Sequence, residues 1–551
     1  MRYLDWHAVY CIIQCMAQTR DADFEVLIVG AGFTGIGAGI RLRQARIDSF
    51  LILEQAEDLG GTWRDNTYPG IAVDIMSSVY SFSFEQNPWW SRTFAPGREL
   101  FAYAHHCARK YGLRPHLRFG IHVLKAVFDE TKHLWRVHTS AGEFTARFLL
   151  NATGGLTQPK IPDIEGVTGF QGKTIHTARW DHGYDLAGKR VAVIGTGASA
   201  VQVVPAIAPL VAQLQVFQRT PIWVLPRPDR EIPSWKRKMF AVLPLTQKMV
   251  RLWNSLVTEF IMVLGIVYYK RFPRIVRYAE NLFHRRLERH VRDPALREKL
   301  TPLYGFGCKR PSFSNDYLRS FNRDNVELVT APIRRVTPDA IVTAEGKERK
   351  IDVLILATGF KVLEKGNLPP YELYGLRGLE LNSFWDEHRL QAYEGISVPG
   401  FPNFFTMPGP YATAGDSWFS MIEAQTRHAL RCIKAARRRR ATYVEVRQEA
   451  HDAYFADILR RQKNTVFFNN RCTLANSYYF DRHGDAPFLR PASGIEIWWR
   501  SRHFPLKHYR FERTPWPVPR ASVTPSSSLP LPAAPAARSP PVAFPPCALC
   551  R

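Results

Sequence analysis

Short uninterrupted apolar runs recur along the chain, and two of them end in a glycine-rich turn. Val26-Leu27-Ile28-Val29 enters Gly30-Ala31-Gly32-Phe33-Thr34-Gly35, and Val191-Ala192-Val193-Ile194 enters Gly195-Thr196-Gly197-Ala198-Ser199-Ala200. Runs of this length and composition predict strands buried on both faces of a parallel sheet. Phe24 to Val29 is the first strand, Gly35 to Arg46 its helix, and Ser49 to Leu53 the second strand, ending at Glu54. The second unit repeats the plan, with Leu214 to Phe217 ending at Gln218-Arg219-Thr220. Between the two, Leu134 to His138 and Phe144 to Leu150 alternate apolar and polar residues and predict a hairpin around Ala141-Gly142.

A strand that meets a helix through GxGxx(G/A) presents backbone N–H groups and a helix dipole to a pyrophosphate. Two such turns predict two bound dinucleotides. Gly30, Gly32 and Gly35 form the first, and Gly195, Thr196, Gly197, Ser199 and Ala200 the second, with Gln202 following. Glu54 stands where a carboxylate takes ribose hydroxyls and repels a 2′-phosphate, so the first site is expected to hold FAD. The equivalent place in the second unit holds Arg219 and Thr220, which suit a 2′-phosphate and favour NADPH.

Pro226 to Leu300 reads as helical and basic. Arg230 to Lys299 carries sixteen Lys/Arg against six Asp/Glu, a net charge of +10 within a chain of net +25. Inside it, Leu252 to Tyr269 is apolar but short for a membrane span, and it carries Glu259 near its middle. A buried helix is the first expectation. The alternative is a membrane-surface helix beside Lys270, Arg271, Arg274 and Arg277. No nucleic-acid motif accompanies the charge. The eight cysteines show no framework spacing and are expected to be free thiols, Cys547 and Cys550 included. No metal site is expected.

Three further stretches carry a resemblance. Phe170, Gly172, His176, Trp180 and Asp181 spell F-x-G-x-x-x-H-x-x-x-W-D, and Gly60 to Asp74 reads GGTWRDNTYPGIAVD. Both resemble signatures of the Baeyer–Villiger monooxygenases, and the likeness runs from about Phe24 to Phe511. Asn151-Ala152-Thr153-Gly154 and Ala357-Thr358-Gly359 resemble the turns through which two-dinucleotide flavoproteins pass between domains. The resemblance implies an α/β fold of two Rossmann-like dinucleotide-binding domains, the NADP domain inserted into the FAD domain, with an added helical subdomain. The expected layout is an extension over 1–23, FAD domain at 24–154 and 357–513, NADP domain at 155–356 with the helical insert at 226–300, and a disordered tail from 514.

The same resemblance implies site roles. Gly61, Thr62, Trp63, Asp74 and Tyr80 are flavin contacts, Lys309 a ligand of the NADPH phosphate, and Arg310 the catalytic cation tuned by Asp74. Phe170, Gly172, His176, Trp180 and Asp181 couple domain motion to cofactor position. The implied reaction inserts one oxygen atom of O2 into a ketone, giving an ester or lactone through an anionic C4a-peroxyflavin. A fixed guanidinium favours the anion and the oxyanion that follows. Two readings compete: a flavin monooxygenase acting on nitrogen or sulfur, and a membrane-docking flavoprotein with little turnover. The location is expected to be cytoplasmic, with peripheral membrane contact through 226–300 held open.

Overall fold

The computed structural model describes residues 22–413 and 417–513. The first twenty-one residues of the chain, the Pro/Ser/Ala-rich tail and four of the cysteines (Cys11, Cys15, Cys547 and Cys550) lie outside the described residues.

Phe24–Val29 lies at the middle of the larger sheet, parallel to Phe50–Leu53 on one side and to Gly142–Asn151 on the other. Val26, Leu27 and Ile28 are fully buried, which is why the strand is apolar without interruption from Val26 to Val29 rather than at alternate positions. The sheet continues through the hairpin partner Leu134–Thr139, then Val123–Asp129 and Glu372–Tyr374, and Phe404–Thr406 pairs alongside Gly142–Asn151. The hairpin closes with Thr139 opposite Gly142, as its alternation predicts. Helices Phe33–Gln44 and Trp418–Arg439 pack together against one face. Arg41 reaches Glu423, which also accepts 2.6 Å hydrogen bonds from the Ser83 backbone N–H and hydroxyl.

The second sheet has five parallel strands in the order Val326–Val329, Gln213–Phe217, Arg190–Ile194, Val353–Leu356, Lys173–His176. All its strands fall between residues 173 and 356, inside the interval that separates the parts of the first sheet. The chain crosses between the sheets as a paired double connection. Lys160 N–H donates to Gly359 O at 2.8 Å and Lys361 N–H to Gln158 O at 3.0 Å.

The insert forms helices Ser234–Val242, Pro244–Met262, Pro273–His290 and Pro294–Leu300. Pro273–His290 buries Phe283 and Leu287 against Trp223. The expectation of a buried helix over Leu252 to Tyr269 holds for Val263–Val267 and fails for the part within Pro244–Met262. Gln247 and Arg251 are its buried residues, held by carbonyl oxygens of the 78–87 loop, while most of its apolar side chains face outward.

Candidate functional site

A cavity of about 2540 Å³ receives both glycine turns. Small-molecule pockets usually enclose roughly 300–1,000 Å³, so this one has room for more than one ligand. Every cofactor residue expected from the sequence lines it except Gly35 and Ala200, which stand behind the turns in their helices.

The two turns are built alike. Gly30 has φ +103°, and a Cβ there would lie 2.7 Å from Ala152 O; Gly195 has φ +114°, and a Cβ would lie 2.4 Å from Ala357 O. Each turn is therefore pressed against the crossing of its own sheet, where only glycine fits. Helices Phe33–Gln44 and Ala198–Ile207 start at Gly32 and Gly197 with no side-chain cap and no acid in the first turn. Their positive ends are left to an anion in the cavity.

The second-strand ends differ in charge. Glu54 is buried and accepts from Ala31 N–H at 2.8 Å, Ala56 N–H at 3.1 Å and Arg64 Nη1 at 3.1 Å. In the other unit, Arg219 and Lys309 approach one another, and neither is ion-paired to an acid among the described residues. Burial, then the Arg219 charge, pulls the Lys309 amine down to about 8. Thr196 Oγ1 donates to Thr220 O at 2.8 Å, and Asn476 Nδ2 donates to Thr220 Oγ1 at 3.0 Å. Gln202 lines the cavity but spends its amide elsewhere. Its Nε2 donates to Ala72 O at 2.9 Å and its Oε1 accepts from the Tyr68 hydroxyl at 3.0 Å, bracing the two units together.

Asp74 ends the GGTW segment and meets Arg310 in a two-pronged pair. Arg310 Nε donates to Oδ2 at 3.0 Å and Nη2 to Oδ1 at 2.8 Å. The Asp74 charge, with smaller contributions from Tyr478 and Tyr479, holds Arg310 above its ordinary value although burial opposes it. Trp63 Nε1 donates to the Tyr80 hydroxyl at 3.2 Å, and the two rings meet edge to face at 5.7 Å. Burial raises the Tyr80 phenol well above its usual range. Sequence reasoning missed Asn476, Tyr478 and Tyr479, which enter from a segment without any motif; His483 also lines the cavity.

None of the five fingerprint residues lines the cavity. Phe170 packs in the core beneath the second sheet, and a Cβ on Gly172 would meet both that ring and Asp352 O at 2.5 Å. His176 ends Lys173–His176, and its Nδ1 accepts from Ala178 N–H at 3.1 Å. Its Nε2 lies 3.4 Å from the Thr358 hydroxyl, on the crossing. Burial and Arg179 lower its pKa, favouring the neutral ring. Trp180 is partly buried against the second core, and Asp181 pairs with Lys173. Arg179 also reaches Asp65 of the GGTW segment at 3.4 Å.

The expectation of free thiols is corrected at one pair. Cys308 and Cys472 form a disulfide, with Cα atoms 5.0 Å apart across 164 residues. The fold brings together two cysteines that no sequence spacing relates. Cys107 and Cys432 are free and buried. The bond joins the strand of chain that carries Lys309 and Arg310 to the one that carries Asn476 to Tyr479, and neither sulfur lines the cavity.

Residues 27–260 match the family model described as pyridine nucleotide-disulphide oxidoreductase. A protein of Pseudomonas aeruginosa named Baeyer-Villiger monooxygenase is 39% identical over 505 residues, covering 89% of this chain and 92% of its own. One of the same name from Streptomyces coelicolor is 40% identical over 496 residues, covering 89% and 93%. Among solved structures, the OTEMO complex with FAD and NADP superposes with a TM-score of 0.78 at 28% identity, covering 89% of this chain and 99% of that one.

Proposed function

The chain belongs to the Baeyer–Villiger monooxygenases, and from that premise we propose that Arg310, aimed by Asp74, is the group on which its oxygen insertion turns. The enzyme is an FAD-containing, NADPH-dependent monooxygenase that places one oxygen atom of O2 beside a ketone carbonyl, giving an ester or lactone. FAD, once reduced by NADPH, supplies the activated oxygen.

The protein's part is to bind, aim and shield. The first glycine turn and its helix end receive one pyrophosphate, with Glu54 on the ribose side. The second turn receives the other, with Arg219, Thr220 and Lys309 around the 2′-phosphate. The lowered Lys309 pKa supports this reading, because two converging cations gain from an arriving dianion.

The single observation that carries the catalytic assignment is the two-pronged Arg310–Asp74 pair on the cavity wall. Two contacts fix both the position and the plane of the guanidinium, which one contact cannot do. Its charge persists at any working pH, so it favours an anionic oxygen nucleophile and then the tetrahedral oxyanion formed on the ketone. A sulfur or nitrogen substrate would need no such anion. Tyr478 and Tyr479 line the wall beside it.

His176 and its neighbours act at the crossing. The Thr358 contact and the Arg179–Asp65 pair tie the fingerprint loop to both units, which supports a role in holding them in register during turnover. The test is product analysis: the FAD-loaded enzyme, given NADPH and air, is offered a ketone and a thioether. Ester or lactone formation outpacing sulfoxidation is the expected outcome, and sulfoxide as the main product contradicts the assignment.

A further inference from the structure

Helix Pro244–Met262 is mounted inside out. Leu245, Met249, Leu252, Trp253, Leu256 and Phe260 fall on one face by helical spacing, and each is between 48% and 69% exposed. Together they present on the order of 700 Å² of apolar surface, past the roughly 300–600 Å² of the largest patch on a typical monomer. The opposite, polar face is the one fastened to the protein. Gln247 Nε2 donates to Asn87 O at 2.7 Å, Arg251 Nη1 to Ser81 O at 2.8 Å, and Asn254 Nδ2 to Ser78 Oγ at 2.9 Å. A helix of a soluble surface does the reverse. Those hydrogen bonds hold it lengthwise on the body, so it lies along a surface rather than across a bilayer, although its length and composition would allow a crossing.

The surroundings of the stripe say what covers it. From Ser234 to Ala279 the chain carries nine Lys/Arg and one acid, Glu259, whose carboxylate turns inward to the Gly494 N–H. Two copies docked through this face would bring like-charged rims together, whereas anionic headgroups neutralise them. Trp235 and Trp253 are exposed on the insert, and Trp498 and Trp499 on the adjoining helix Gly494–His503. Tryptophan suits the headgroup depth of a membrane, apolar in body and polar at the indole N–H. Helix Pro244–Met262 also walls the cavity, through Val257, Thr258, Phe260 and Ile261.

We propose that this face docks the enzyme on an anionic lipid bilayer, with the cavity opening beside the lipid-facing stripe so that lipophilic ketones enter from the membrane. The entry route rests on the cavity being the ketone site; the docking does not.

The test uses the full chain loaded with FAD and NADP+, floated with vesicles of phosphatidylcholine alone and of phosphatidylcholine with phosphatidylglycerol. The enzyme is expected to rise with the second and to release as salt is added. Replacing Leu245→Gln, Met249→Gln and Trp253→Gln together is expected to weaken partitioning about a hundredfold. NADPH oxidation with a water-soluble ketone, measured without lipid, stays at the wild-type level. Leu252→Glu alone, a milder exposed change, is expected to act in the same direction. Failure of the wild type to float with anionic vesicles overturns the proposal. So does a dimer in lipid-free buffer that the triple variant converts to monomer. Because turnover of the soluble ketone is read separately, loss of docking and loss of the proposed chemistry remain distinguishable.

Discussion

Arg310 and Asp74 lie 236 residues apart and meet with guanidinium and carboxylate joined through two nitrogens, at 2.7–3.0 Å. The pair spans the two units, since Asp74 follows the first glycine turn and Arg310 belongs to the stretch between the second turn and its last parallel strand. A cation on one side of a joint, held by an anion on the other, is sensitive to how the units sit.

Asp74→Asn keeps the shape and removes the charge. Ester formation is expected to fall about a hundredfold through misplacement of the guanidinium, with Asp74→Glu recovering part of it. Steady-state kcat with a ketone checks this, and an unchanged kcat would show that Arg310 needs no aiming.

Lys309 titrates near 8 when no phosphate is beside it. A bound 2′-phosphate favours its charged form and raises that pKa, so binding takes up a proton above pH 8. Between about pH 7 and 8, where the 2′-phosphate is already a dianion, affinity for NADP+ is therefore nearly flat, and it falls by up to about tenfold per pH unit above pH 8. Lys309→Met should bind more weakly and lose the alkaline slope. Titrations of NADP+ at a series of pH values measure both.

His176→Ala is expected to leave FAD affinity within about twofold while more NADPH is consumed per ester formed, because the ring lies on the crossing and outside the cavity. The ratio of NADPH oxidised to product is the readout. Coupled turnover at the wild-type ratio contradicts the assignment.

The Cys308–Cys472 bond predicts a labelling pattern. Alkylating the denatured, unreduced chain should modify Cys107 and Cys432 and spare Cys308 and Cys472, as read by peptide mass. A labelled Cys308 would show the pair to be thiols.

The glycine turns were legible because backbone geometry leaves no alternative: Gly30 and Gly195 press on Ala152 O and Ala357 O at corresponding places in the two sheets. The strands at Val26 and Val191 were legible because burial on both faces removes polar positions. Arg310 and Asp74 were named through resemblance, since no spacing relates residues so far apart. Tyr478, Tyr479 and Asn476 carried no pattern, because side chains from a loop are recruited by tertiary packing alone. The helix at Pro244–Met262 shows the limit of periodicity. The apolar run from Leu252 could be seen, but which face of the helix turns inward depended on carbonyl groups of the 78–87 loop that accept from Gln247 and Arg251.

The most direct test of the guanidinium's role is Arg310→Ala, compared with wild type for ester formed from a ketone and for NADPH consumed. Loss of one preorganised oxyanion donor costs about 100- to 1,000-fold elsewhere, so ester formation is expected to fall by at least that factor while the variant still binds FAD. Ester produced by Arg310→Ala at the wild-type rate would contradict the account.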